Sequence, residues 1–584
     1  MVFHPPSWVP PLPFDPPDSI PISEFMLNEQ YGRHPFRLSR PPFTCGLTGL
    51  EYSWSDVCNR VNALASGLSK ELGFTPNEGT EWDKVVCVFS VNTIDTVVFT
   101  WALHYLGGIS SPANAAYSED ELVYQLKSSS SKALFTCVPL LETSIAAARK
   151  CGIPKDRVYL FDVPKQLTGA SSDSQGFKTV NQLIEESSSL PQVERLRWTK
   201  GEGARRTAFL CYSSGTSGLP KGVKIAHRNL IANVLQVATS ENPHRAKKKK
   251  PGDEYNPTEV SLGILPQSHI YSLVLLCHTV PYRGDQVINI PKFDLPQVLA
   301  AIQRFKINNL YLVPPIIIAM KNNPEVLKKF DLTSVETVFT GAAPVGPETA
   351  EQMQKQHPKW LVRQGYGLTE TSTVVCSTAF HDVMDGSCGS LLPGFEAKLV
   401  SIEGNEIKGY DQPGELVVRS PSVTLGYLNN DKANQETFVD GWVRTGDEAV
   451  VRKSPKGYEH IFIVDRIKEL IKVKGLQVAP AELEAHLLTH PAVADCTVIP
   501  IADDTAGERP KAFVVKSSSV GLEDNDRILV REIKKHVEKT KARHKWLAEV
   551  VFVDTIPKSP SGKILRRLLR DKDREERRKQ GPRL

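Results

Sequence analysis

The stretch Tyr212-Ser213-Ser214-Gly215-Thr216-Ser217-Gly218-Leu219-Pro220-Lys221-Gly222 lies between an apolar run, Ala208–Cys211, and a helical pattern that begins near Ala226. A buried strand that empties into a glycine- and hydroxyl-rich loop ahead of a helix is the repeating unit of an α/β sheet. The glycines let backbone approach a ligand closely, hydroxyls and amides supply donors, and Lys221 adds a positive charge; together these suit a phosphate. The loop is not a Walker A loop, because the Gly-x4-Gly-Lys-Ser/Thr frame is absent.

Working outward, the alternation repeats. Val57, Val61, Leu64, Leu68 and Leu72 recur at helical spacing across Trp54–Leu72. A strand-like run covers Lys84–Ser90, and a helix is expected from about Thr93 to Leu106, stopped at Gly107-Gly108. Ala133–Cys137, Val158–Phe161 and Thr207–Tyr212 continue the strand pattern. The predicted fold class is α/β, with a large N-terminal domain of doubly wound sheets. Leu310–Met320, with Pro314 and Pro315 in its middle, reads as a buried strand and turn. From about Gly389 the texture shifts to β-branched runs with glycine turns (Ala397–Ile402, Gly414–Ser420, Ala449–Arg452), which predict an antiparallel, β-barrel-like subdomain. After Arg466 a small, mobile α+β domain is expected, with helices at Pro480–Leu488 and Arg527–Lys539 and strands at Ala492–Ile501 and Lys511–Lys516.

At 584 residues the chain needs more than one core. The expected division is a proline-rich extended segment over 1–50, a large domain over 51–465 with its β subdomain at about 389–465, and a C-terminal domain over 466–584. Eleven prolines in the first 42 residues exclude a long helix there, so that segment should wrap over the body. Ser171–Gln175 and His244–Glu254, the latter with Lys247–Lys250, read as exposed insertions. With 71 basic against 66 acidic residues, the composition gives no sign of a nucleic-acid-binding face. Ten scattered cysteines without a Cys-x-x-Cys pair exclude a metal-ligand pattern and argue against a disulfide framework. No apolar run approaches the roughly 20 residues of a membrane span. Prolines from Pro5 onward leave no apolar signal-peptide core, so a cytoplasmic protein is expected.

The Tyr212–Gly222 stretch resembles the phosphate loop of the adenylate-forming superfamily of acyl-CoA synthetases, adenylation domains and luciferases. The other signatures follow in order, so the resemblance covers roughly Glu51–Arg570. It implies that Ser213, Ser214, Gly215, Thr216, Ser217, Gly218 and Lys221 cradle ATP phosphates. Gln364-Gly365-Tyr366-Gly367-Leu368-Thr369-Glu370-Thr371 is similar to the adenine and magnesium segment. By that likeness Tyr366 stacks on adenine, Thr369 meets the α-phosphate, and Glu370 with Thr216 holds Mg²⁺; Gly341 and Ala342 of Gly341-Ala342-Ala343-Pro344 border adenine and the acid pocket. Arg444-Thr445-Gly446-Asp447 is similar to the motif whose Asp accepts both ribose hydroxyls, a task for an acceptor-only group. Asp465–Val478 resembles the hinge, with Arg466 on ribose, Asp465 and Lys468 as pivot, and Lys472, Lys474 and Gly475 beside the coenzyme A tunnel. Pro557–Ile564 resembles the loop of the catalytic lysine, here Lys563.

The resemblance implies that His269 gates the acid pocket and that Tyr271, Gly341, Gly367, Thr373 and Val374 line it. Lys563, His269 and Lys221 are the expected catalytic residues. The implied reaction uses ATP, Mg²⁺ and coenzyme A: an acid forms an acyl-adenylate with pyrophosphate release, then a thiol displaces AMP. Within the superfamily the likeness is greatest to 4-coumarate:CoA ligase-like enzymes, which points to an aryl or medium-chain acid. Ile270-Tyr271 stands where amino-acid-activating domains usually carry Phe-Asp, and Thr373 replaces the proline usual in plant coumarate ligases. Alternatives are a stand-alone enzyme that loads a carrier-protein phosphopantetheine arm, a luciferase-like oxygenase, and an inactive nucleotide-binding homologue. Pro582-Arg583-Leu584 comes near a peroxisomal signal.

Overall fold

Short-range signals set most elements. At the start of the Trp54–Leu72 helix the Ser53 side chain accepts the Asp56 N–H at 3.2 Å and Asp56 accepts the Ser53 N–H at 2.9 Å. This closes a capping box, and Gly73 ends the helix at φ 69°, a left-handed turn that glycine enters without steric cost. The computed structural model describes residues 1–168, 174–213, 220–401, 403–503, 505–517, 525–559 and 562–580. The expected contacts of Ser214, Gly215, Thr216, Ser217 and Gly218, most of the Ser171–Gln175 insertion, and Pro582-Arg583-Leu584 lie outside these residues.

Two sheets form the large N-terminal body. One has six strands in the order Val158–Leu160, Ala133–Thr136, Val85–Phe89, Ile109–Ala113, Thr207–Ser213, Lys221–Ala226. Its first five are parallel, and the Lys221–Ala226 strand closes the edge antiparallel to Thr207–Ser213. The other has nine strands; those from Phe43–Cys45 through Val260–Gly263 to Leu361–Leu368 run parallel, and antiparallel pairs close both edges. The β subdomain is a five-stranded antiparallel sheet that ends in Glu459–Arg466. A further five-stranded sheet begins at Ile471–Val473 with its own apolar core around Ile471, Leu483, Val498 and Ile533.

The N-terminal segment packs on the body, where Phe3 bridges Ala397 and Arg228 holds Asp15 at 3.0 Å, and it includes a short helix, Ile22–Met26, and a strand, Phe43–Cys45. Two expectations need correction. Leu310–Met320 is not a strand and turn: the strand Asn309–Leu312 is followed by a helix, Pro314–Lys321. Prolines at the first helical positions lack only an N–H that would have no partner there, so they start this helix rather than turn the chain. The His244–Glu254 insertion begins inside the His227–Ala246 helix, and Lys248 is held by Glu259 at 2.6 Å rather than left solvated.

Three buried side chains mimic a hydrolase triad. His460 bonds Ser387 at 2.9 Å and Asp382 at 3.1 Å, but the Ser387 side chain is fully shielded, so the set ties a loop to the Glu459–Arg466 strand. Among the described residues no helix is long and apolar enough to cross a membrane.

Candidate active site

In open α/β sheets the loops beyond the carboxyl ends of the strands are the natural ligand site. A cleft of about 730 Å³ opens there, bordered by Ser213, Asn114, His269, Ala342 and Gly367 from loops of both sheets, and by Arg466, Lys468 and Lys563 from the hinge and the C-terminal loop. Of the predicted residues, Lys221, Thr369 and Glu370 line it too.

Glu370 sits in a single turn, Thr369–Thr371, directly after the Leu361–Leu368 strand. Its Oε1 accepts from the Tyr427 hydroxyl at 2.8 Å and from Ser213 Oγ at 3.4 Å. Lys221 pairs in register with Ser213 across the antiparallel edge and places its Nζ 4.7 Å from the Tyr427 ring centroid. One edge strand thus carries Lys221 back beside Ser213.

Lys563 enters from the other side. Its N–H donates to Ser559 Oγ at 3.2 Å and Ser559 N–H donates to its carbonyl at 2.8 Å, which closes a tight loop. Gly562 lies at φ 80°, and a Cβ there would meet Pro315 at 3.0 Å, so the loop docks glycine-first on the start of the Pro314–Lys321 helix. Burial, then the neighbouring Arg466 charge, lower the Lys563 pKa to about 8, opposed by Glu469, Asp447 and Glu370. His269 caps the Ile270–Val274 helix through Nδ1, which accepts the Tyr271 N–H at 3.3 Å. Burial and the Lys563 charge hold its pKa down at about 4, so it is neutral near pH 7.

Asp447 and Tyr366 meet behind the cleft wall. The Tyr366 hydroxyl donates to Asp447 Oδ2 at 2.6 Å, while Arg466 Nε lies 3.1 Å from Oδ1. Each carboxylate oxygen keeps a second lone pair for another donor. Gln364 accepts the Val345 N–H at 3.2 Å, which anchors the loop after Gly341-Ala342. The strand pairing also dictates the glycines: a Cβ on Gly365 would strike Phe339 at 2.5 Å, and one on Gly367 would lie 1.4 Å from the Thr373 carbonyl.

Of the residues expected to line an acid pocket, Tyr271, Gly341, Thr373 and Val374 are buried, while His269 and Gly367 border the cleft. The Tyr271 ring lies against Gly341, its hydroxyl donates to the Phe339 carbonyl at 3.0 Å, and Thr373 Oγ1 donates to the Ile270 carbonyl at 2.8 Å; Val374 is buried. Lys472, Lys474 and Gly475 are not gathered here: they are exposed on a hairpin, Lys472 within the strand Ile471–Val473 and Lys474-Gly475 in the turn before Leu476–Val478. Asp465, at the end of the Glu459–Arg466 strand, accepts the Ala481 N–H at 2.8 Å, and burial, eased by Arg566, raises its pKa to about 6.

Sequence reasoning missed Tyr427, Glu415 and Thr437, all on the cleft wall, and gave no role to Arg444 and Lys558, which lie there inside motifs it did read. Gly426-Tyr427 between two β runs was the sole local signal, and it reads equally well as a turn.

A model described as "AMP-binding enzyme" matches residues 39–428, and one described as "AMP-binding enzyme C-terminal domain" matches 482–563. The chain belongs to the AMP-binding enzyme family. Acyl-CoA ligase easD of Emericella nidulans is 41% identical over 98% of this chain and 100% of its own length. Acyl-CoA ligase AFT1-1 of Alternaria alternata is also 41% identical, over 98% and 97%. Among solved structures, the anthranilate CoA ligase AuaEII in complex with anthranoyl-AMP shares the fold at TM-score 0.78, with 22% identity over 95% of this chain and 98% of that one.

Proposed function

We propose that this family member is an AMP-forming acid–CoA ligase. The observation that carries the reading is the convergence of Lys221, Glu370, Arg466 and Lys563 in one cleft, from an edge strand, the second sheet, the hinge and the C-terminal loop. Four charges of such separate origin suit a polyanion whose α-phosphorus reacts. The full-length likeness to acyl-CoA ligases supports the same activity.

In the first half-reaction a carboxylate oxygen attacks the α-phosphorus of ATP, and the bond to the β-phosphate bridge breaks as pyrophosphate leaves. Lys221 and Thr369 hold phosphate oxygens, Asp447 and Arg466 hold ribose, and Tyr366 with Gly341 and Ala342 borders adenine. Lys563 offsets charge that develops between acid and α-phosphate. A lone carboxylate with hydroxyls and phosphate oxygens is the sparse donor set that Mg²⁺ takes beside a nucleotide, so Glu370 would hold that ion. Among the described residues no cluster of three or more His, Cys, Asp or Glu offers a full protein cage. Bound there, Mg²⁺ would neutralise charge on the departing pyrophosphate.

In the second half-reaction the coenzyme A sulfur attacks the acyl carbonyl and the bond to AMP breaks. The small C-terminal domain turns about Asp465 and Lys468 between the steps, withdrawing Lys563 and presenting Lys472, Lys474 and Gly475 to the thiol; neutral His269 gates that entry. The Tyr271 ring edge-on to Phe339, with Val374 also buried, supports an aryl or medium-chain acid. We place the reaction in the cytoplasm.

The test is acid-dependent AMP release from Mg·ATP across cinnamate, benzoate, phenylacetate and medium-chain acids, with and without coenzyme A. Release that needs one acid class and coenzyme A is the expected result. Pyrophosphate exchange indifferent to coenzyme A would move the acceptor to a carrier-protein phosphopantetheine arm.

A further inference from the structure

Tyr427 touches two site residues at once and has no part in the mechanism above. Its hydroxyl donates to Glu370 Oε1 at 2.8 Å, and its ring face lies 4.7 Å from Lys221 Nζ. The ring is 6% exposed and packs edge-on to Phe438, 5.7 Å between centroids. It separates the cleft from an outer groove of about 470 Å³ lined by Trp82, Lys224 and Asn429.

The backbone around Tyr427 is tied to the same two partners. Lys224 N–H donates to the Gly426 carbonyl and Leu428 N–H to the Gly222 carbonyl, both at 2.8 Å, so this loop runs along the strand that begins with Lys221. Three residues earlier, Thr424 N–H donates to the Glu370 carbonyl at 3.0 Å. Asn434 grips Tyr427 from behind, accepting its N–H at 2.6 Å and donating to its carbonyl at 3.0 Å. A side chain held at its backbone, ring and hydroxyl is a spacer between the groups it touches.

We propose that Tyr427 is a positioning residue that sets the spacing between the Glu370 carboxylate and the Lys221 ammonium, and so aligns the metal-bound phosphates for adenylate formation. The inference rests on the reading that Glu370 holds the divalent ion and Lys221 a phosphate. A fixed donor holds one carboxylate oxygen and turns the other toward the ion, as outer partners of metal ligands do. The ring adds a cation–π contact that keeps Lys221 over the cleft, and it bars water from the outer groove.

The experiment compares the full chain with Tyr427→Phe, Tyr427→Leu and Glu370→Gln. Free Mn²⁺ is followed by electron paramagnetic resonance during titration with α,β-methylene-ATP, alongside ATP–pyrophosphate exchange and thermal unfolding. Tyr427→Phe keeps the ring and removes one hydrogen bond to a charged group, so the Mn²⁺ half-saturation should rise about tenfold. Excess Mg²⁺ should recover most of the exchange rate, with the unfolding midpoint unchanged. Tyr427→Leu should also weaken the nucleotide analogue. Mn²⁺ and analogue binding like wild type in Tyr427→Phe, while Glu370→Gln loses Mn²⁺, would overturn the role of Tyr427 alone. Unchanged Mn²⁺ binding in Glu370→Gln would overturn the Glu370 assignment, and the inference with it.

Discussion

The C-terminal part of the chain presents two loops that were expected to serve chemistry, and the structure treats them oppositely. Lys558, Ser559, Lys563 and Leu565 line the cleft, and Gly562 presses on Pro315 of the N-terminal body. The Lys472–Gly475 hairpin is exposed, with Lys474 at φ 51°, Gly475 at φ 81° and no atom within 4 Å of a Cβ built on that glycine. Both loops belong to one folded unit: Arg566, just past the first loop, is ion-paired to Glu469 beside the hinge and to Glu484, 2.6 Å away. A single folded unit that carries one charged loop inward and one outward would serve two successive steps by turning, as proposed above. The docked arrangement suits the first half-reaction.

The sharpest way to break that contrast is Lys563→Ala. Acid-dependent ATP–pyrophosphate exchange should fall about 10³-fold, since a charge aimed at the transition state is lost from a buried site. AMP release from a supplied acyl-adenylate with coenzyme A should stay within about threefold of wild type. Equal losses in both assays would mean that the two loops do not divide the labour.

A pH profile sharpens the same contrast at smaller effect. Burial and Arg466 lower Lys563 to about 8, so the side chain is cationic below that pH and neutral above it. The exchange rate should halve near pH 8 and be about tenfold down by pH 9, whereas thioester formation from supplied acyl-adenylate should lack this limb. Lys563→Arg should move the limb upward; a limb unchanged in that variant assigns it to another group. The smallest effect is expected from Gly475→Ala, where a left-handed φ costs an L-residue about 1–2 kcal/mol. Coenzyme A-dependent AMP release should drop about fivefold through the reshaped hairpin, with exchange untouched. Loss of exchange instead would place the hairpin in the first step.

The family was legible because its motifs lie in contiguous loops. Tyr212–Gly222 and Gln364–Thr371 carry spacing, glycine and charge together, so short windows announce them. Helices such as Trp54–Leu72 were legible for a like reason, since apolar spacing and the Ser53–Asp56 cap act within a few residues. Pro314-Pro315 misled because the same prolines that end one pattern can begin a helix. Tyr427 went unseen because its role arises from Glu370, 57 positions away, and from Lys221, each brought to it by separate strand registers.

The sequence alone determined the α/β class and the family motifs, with the charged residues those motifs carry, because these follow from local periodicity and from short loops. Tertiary structure alone decided that Lys563 rather than Lys474 faces the cleft, that Asp447 is engaged by Tyr366 and Arg466, and that Tyr427 bridges Glu370 and Lys221. Those outcomes depend on how separate sheets and a hinged unit pack together. Packing sums contacts between residues hundreds of positions apart, and no single window of the chain contains them.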